Sequence, residues 1–312
     1  MFTEKILKTF TKDYSLPIQV LRDPYFSYFI DLYDKDYQSK AKLQLLKDTI
    51  NLFGSEEKFF DLRHQICDDM IESIKETAAY NEFATGDVDR FTVPNKSYPS
   101  KDIFRPENAG RYFLSIDLKK ANFQALKHFF PEAVFNCEDY RDLIGRFTDL
   151  DYFKDSKYLR QVIFGNLSPK RQKRIQRFMM EQILDWAVGE KIFEEKEVRM
   201  VSSDEIIVEL EDPAVFGHTN SLEGKIKNAL GYDARVEAYR LETIGNSGFY
   251  VKKFVSKEGI ELMCVPLVYF AQAYKKVNGL ELDERDLCFM YENQVCKFLE
   301  PLDFGEEKEN AA

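Results

Sequence analysis

The chain has 312 residues, 44% of them hydrophobic and 14% aromatic, with a formal net charge of -10. This is ample for two or three packed subdomains and excludes a fibre or a disordered-tail protein; the acidic balance argues against indiscriminate coating of nucleic acid, where Lys and Arg on phosphates supply most of the affinity. No run approaches the roughly 20 apolar residues that span a bilayer, and Met1-Phe-Thr-Glu-Lys-Ile-Leu-Lys has no apolar signal core, so a cytoplasmic protein without a membrane partner is expected.

Residues 1 to about 110 read as mainly helical. Pro24 to Tyr33 carries aromatics at helical spacing, which predicts core. Ser55 is a predicted N-cap for a helix whose Phe59, Leu62, Ile66, Met70 and Ile74 follow the helical period. The Pro-, Gly- and Ser-rich stretch from Ala84 to Gly110 predicts an irregular connection and a subdomain boundary. From 111 to 304 the pattern becomes a strand at 112–117, a helix at about 119–130, two short helices up to Gly165, a long helix at about 168–188 and a hairpin centred on Ser203-Asp204. A helix from Leu222 stopped by Gly231 follows, then strands at 236–243, 248–255 and 260–265, helices at about 267–276 and 283–297, and a disordered tail at 305–312. The fold class expected is α+β, with a helical N-terminal part and an antiparallel sheet.

Five cysteines without a Cys-x-x-Cys pair and only three histidines argue against a zinc site, a disulfide framework or a hydrolase triad. Phosphate-binding glycine loops are absent as well. Two acidic spots carry more chemistry. Asp117 ends the apolar strand Tyr112-Phe-Leu-Ser-Ile, and Asp204-Glu205 opens the apolar strand Ile-Ile-Val-Glu-Leu. Taken singly, Asp117 reads as a helix N-cap and Asp204 as a turn residue. Taken together, they predict carboxylates held on neighbouring strands, which suits Mg²⁺ or Mn²⁺ in two-metal phosphoryl transfer. Between Lys154 and Arg177 the chain carries eight basic residues against one acid, Asp155, a local basic surface on an acidic protein.

Three segments resemble family A DNA polymerases, the DNA polymerase I type. Ser115-Ile-Asp117-Leu-Lys-Lys-Ala-Asn122-Phe resembles the first catalytic motif, Arg160-Gln-Val-Ile-Phe164-Gly165 the nucleotide-binding motif, and Ser203-Asp204-Glu205 before an apolar strand the third motif. The resemblance implies a thumb-like region at 1–110 and a palm at 111–304 with short fingers at about 138–189. It implies Asp117 and Asp204 as metal ligands with Glu205 as a supporting acid. Arg160, Phe164, Asn122 and Lys157 would contact a nucleoside triphosphate, and Lys170, Arg171, Lys173, Arg174 and Arg177 a DNA or RNA primer-template. The chain departs from the family at Arg160 (usually Lys), Ser168 (Tyr), Ser203 (His) and Asn122 (Glu), and only 44 positions separate Arg160 from Asp204. The first motif also resembles that of reverse transcriptases, and Ser203-Asp204-Glu205 that of translesion polymerases. The expectation is a nucleotidyltransferase; the alternative is an inactive palm-like subunit that binds a protein partner in a replication complex.

Overall fold

A computed structural model describes residues 2–93, 103–211, 219–255 and 257–305. Parts of the expected connection (94–102) and tail (306–312), together with His218, lie outside the described residues. The N-terminal part is helical: α1 (Glu4–Asp13), α2 (Tyr25–Leu32), α3 (Asp34–Tyr37), α4 (Ser39–Phe53), α5 (Glu56–Lys75) and α6 (Ala78–Thr85). Ser55 caps α5 as expected, its hydroxyl accepting from the Lys58 amide at 3.2 Å, and Phe59, Ile66, Met70 and Ile74 turn inward. In α2, Phe26, Phe29 and Ile30 are buried and Tyr33 follows them into the core, so the aromatic run packs as the helical spacing predicts.

Then come β1 (Tyr112–Leu118), α7 (Ala121–Phe129), α8 (Tyr140–Gly145), α9 (Asp151–Asp155), α10 (Lys157–Gly165) and α11 (Pro169–Gly189). The hairpin β2 (Val198–Val201) and β3 (Glu205–Leu210) leads to α12 (Thr219–Leu230), β4 (Ala234–Thr243), β5 (Tyr250–Phe254) and β6 (Ile260–Met263). The chain closes with α13 (Phe270–Val277) and a second hairpin, β7 (Cys288–Tyr291) and β8 (Gln294–Lys297).

That second hairpin corrects the helix expected over 283–297. Glu292 and Asn293 both take positive φ, 47° and 63°, which is the conformation a tight two-residue turn requires. The strands it joins pair Tyr291 with Gln294 and Cys288 with Lys297. Asp117 corrects its N-cap reading in the same way: β1 runs on to Leu118, and Lys120, in the left-handed region, precedes α7 without a side-chain cap.

The large sheet has the order β2-β3-β1-β4-β5-β6 and is antiparallel throughout. Its first four strands, with the helices between them, form a split βαβ arrangement that makes β1 central. Strand alternation sorts the two faces. Leu114, Ile116, Leu118, Ile206, Val208, Val236 and Ala238 join the main core, against which α7, α11 and α12 pack. Phe113, Ile207, Tyr239 and Leu241 face the other way and form a smaller cluster under Ile103 and Phe104. The main core runs without a break from Ile6 to Tyr274. N-terminal helices and sheet therefore share one interior.

A buried ion pair ties the N-terminal helices to α9 and α10. Arg63 on α5 grips both oxygens of Asp13 at 3.0 and 3.1 Å, and Tyr152 and Ser156 donate to the same carboxylate at 2.9 and 2.7 Å. Burial pushes the Asp13 carboxyl up, and Arg63, Ser156 and Tyr152 pull it back. Ser156 also caps α10 through the Leu159 amide, so the start of that helix is positioned by Asp13. Removing one partner of such a pair strands a buried charge at a cost of about 3–5 kcal/mol. Arg63→Ala is expected to lower the urea-unfolding free energy by that amount; a loss below about 1 kcal/mol would show the pair to be incidental.

Candidate functional site

In an antiparallel sheet, residues directly opposite one another share a face. Asp117 on β1 lies opposite Glu205 on β3 and Arg235 on β4, and Ser115 lies opposite Ile207 and Glu237. Asp117, Glu205, Arg235 and Glu237 therefore lie on the face away from the main core. Asp204 sits in the turn just before β3, where its carbonyl accepts from the Leu118 amide at 2.9 Å. Two segments far apart in sequence thus bring three acids to one end of the sheet.

The turn is rigid for a local reason. The Ser202 hydroxyl accepts from the amides of Asp204 and Glu205 at 3.3 and 2.9 Å, and Ser202 and Ser203 each reach the Asp204 carboxylate at 3.2 Å. From α11, Arg177 donates to the carbonyls of Val201 and Ser202 at 2.6 and 3.1 Å. The hairpin is held from behind by a helix of the core.

The charges are crowded. Burial, with the repulsion of Glu205, Asp204 and Glu237, pushes the Asp117 carboxyl up to about 6 against the opposing pull of Arg235. Arg235 donates to Asp117 at 3.1 Å and approaches Glu237 at 3.6 Å. Lys257 also pairs with Glu237, and Ser115 donates to Glu205 at 2.6 Å. The Tyr239 hydroxyl lies buried on this face without a hydrogen-bond partner, its pKa raised by burial and by Glu205, Glu261 and Glu237. For Mg²⁺ or Mn²⁺, the donors have the right chemistry: hard carboxylate oxygens carrying excess negative charge. Among the described residues, however, no three His, Cys, Asp or Glu groups converge as ligands, and Arg235 holds one oxygen of Asp117.

The other expected site residues lie elsewhere. Arg160 is half-buried over the Tyr140 ring at 5.4 Å, with Lys120, just past β1, over the same ring at 5.9 Å. Burial lowers the Arg160 pKa, and among the described residues it has no carboxylate partner. Phe164 is fully buried and packs on Phe123 and Tyr140; Asn122 accepts from Gln176 on α11. Lys157 is exposed at the start of α10 beside a pocket lined by Asp13, Tyr14 and Lys42.

On α11, Lys170 and Lys173 are exposed, whereas the arginines make internal contacts. Arg171 donates to the carbonyls of Phe83 and Gly86, and Arg174 to Asp89 and Thr92. Sequence reading missed Arg235, Glu237 and the positioning role of Arg177. A signal for the first two was present: Arg235-Val-Glu237 alternates polar and apolar, so both polar residues had to leave the core face together.

Comparison with protein families, with curated proteins and with solved structures finds no match to this chain.

The raised Asp117 pKa has a consequence for stability. Because the folded value exceeds the ordinary one of 3.8, the native state favours the protonated acid. That contribution is fully present below pH 3.8 and is lost as pH rises through about 6. Asp117→Asn is therefore expected to gain stability relative to wild type across that window, by no more than about 3 kcal/mol, and to hold the gain above it. Urea unfolding at a series of pH values reads this; a difference that stays constant from pH 4 to 7 would contradict the assignment.

Proposed function

We propose that the chain is a polymerase-type nucleotidyltransferase, joining a nucleoside triphosphate to the 3′-hydroxyl of a DNA or RNA primer at the sheet end that carries Asp117, Asp204 and Glu205. The observation that carries the reading is the pairing of Asp117 with Glu205 across adjacent strands, with Asp204 in the turn beside them. Repulsion among these acids contributes to the upward shift of Asp117, and a bound cation would relieve it. Asp117 and Asp204 would hold Mg²⁺ or Mn²⁺, with Glu205 in support. When bound, such ions activate the attacking hydroxyl and stabilise the leaving pyrophosphate.

The chain's own residues would do the rest. Arg177 keeps the hairpin in place through two carbonyls. Arg160 and Lys120 flank the Tyr140 ring beyond the end of β1, where cations without a carboxylate in bonding contact suit a triphosphate. Arg235 limits access to Asp117 and must give up its contact if the carboxylate is to take a cation. Phe164, enclosed in the core, serves by packing α10 against Tyr140 and Phe123.

One observation favours a second reading, in which the sheet end binds a partner in a replication complex without catalysis: the Arg235 pair already compensates Asp117. Primer extension separates the two. With labelled primer-template, all dNTPs or all NTPs, and Mg²⁺ or Mn²⁺, wild type is expected to extend, and Asp117→Ala and Asp204→Ala each to lose at least about a thousandfold in rate, the equivalent of about 4 kcal/mol. Folded wild-type protein that extends nothing with either ion and either nucleotide set would favour the binding role.

A further inference from the structure

On the far side of α10 from Tyr140, a groove of about 900 Å³ runs between α1, the segment 15–21 and Tyr158 and Gln161 of α10. Its rim carries Lys5, Lys8 and Lys12, all exposed. They recur at three and four residues, so one face of α1 presents them in a row about 10 Å long at 1.5 Å per residue. Among the described residues none of the three is ion-paired; Lys5 lies over the Phe60 ring at 4.1 Å and Lys12 over the Tyr158 ring at 5.2 Å. The one carboxylate in the lining, Glu4, is already engaged by Arg22. In a chain of net charge -10, this groove therefore holds three positive charges with no acid left to answer them.

From this we infer that the groove binds a single strand of nucleic acid, with the lysine row tracking consecutive phosphates. Lysine grips phosphate as a flexible point charge and does not need fixed two-pronged geometry. Of the remaining polar lining, Gln19, Gln161 and Asn293 offer amides that both donate and accept, which suits base edges. Leu267, 46% exposed, and half-buried Met290 supply apolar surface for the base faces. The groove lies on elements separate from the acids of the sheet end, and this binding does not depend on their chemistry.

Fluorescence anisotropy of a labelled 12-nucleotide single strand, titrated with the full chain at about 50 mM salt, tests the assignment. Wild type is expected to bind saturably. The charge-reversed triple variant Lys5→Glu, Lys8→Glu, Lys12→Glu should bind at least tenfold more weakly, and the triple Lys→Gln variant should flatten the dependence of log affinity on log salt by about 2, the share of three phosphate contacts on a single strand. All three side chains are exposed, so both variants should remain folded, which a cooperative melting transition checks. The control Lys225→Glu, Lys276→Glu, at exposed positions on α12 and α13, should bind as wild type. The assignment is overturned if wild type does not bind, if the charge-reversed variant binds as wild type, if the control loses binding to the same extent, or if a polyglutamate peptide of matched charge displaces the strand as well as unlabelled oligonucleotide does.

Discussion

Everything at the candidate site depends on the register of β1. Held between β3 and β4, the strand has its odd-numbered residues on the face away from the core and its even-numbered ones inside, so Asp117 meets Glu205 on one side and Arg235 on the other. A slip by one residue would bring Asp117 into the apolar interior and turn Ile116 outward. Leu114, Ile116 and Leu118 pin the register by filling the main core, and Phe113 does the same from the opposite face by stacking on Tyr239. Apolar packing thereby sets the position of a charged group.

Around that strand, buried polar contacts hold the supporting elements. Arg177 joins α11 to the hairpin turn. The Asp13 carboxylate draws α5, α9 and the cap of α10 onto α1, and α10 in turn carries Arg160 on the side of Tyr140 and Tyr158 on the side of the lysine groove. One helix thus stands between two basic places, the Arg160 and Lys120 cations around Tyr140 and the lysine-lined groove. The net acidity of the chain makes each of these local basic places stand out against its surroundings.

Strong periodicity was readable. The helix after Ser55, strand β1 and the hairpin at Ser203-Asp204 all announce themselves through apolar spacing and a cap or turn, and the structure has them. The hairpin at Cys288–Lys297 was not readable because its short strands resemble a helical run until Glu292 and Asn293 are known to take positive φ. Nor can composition tell a free arginine from a committed one. Lys170, Arg171, Lys173 and Arg174 look alike in sequence, yet only the lysines stay exposed, since Arg171 and Arg174 are spent on carbonyls and acids of residues 83–92. Arg235 escaped notice because its importance lies in its strand partner, and pairing across strands is a property of the register, not of the local residues.

If the acids at the end of β1 and in the adjoining hairpin turn hold a divalent cation as proposed, titration with Mn²⁺, followed through the free ion by electron paramagnetic resonance, should show saturable binding that is lost in Asp117→Asn and in Asp204→Asn and that Mg²⁺ displaces. Wild-type protein that binds no Mn²⁺, or binds it equally well without either carboxylate, would contradict the proposal.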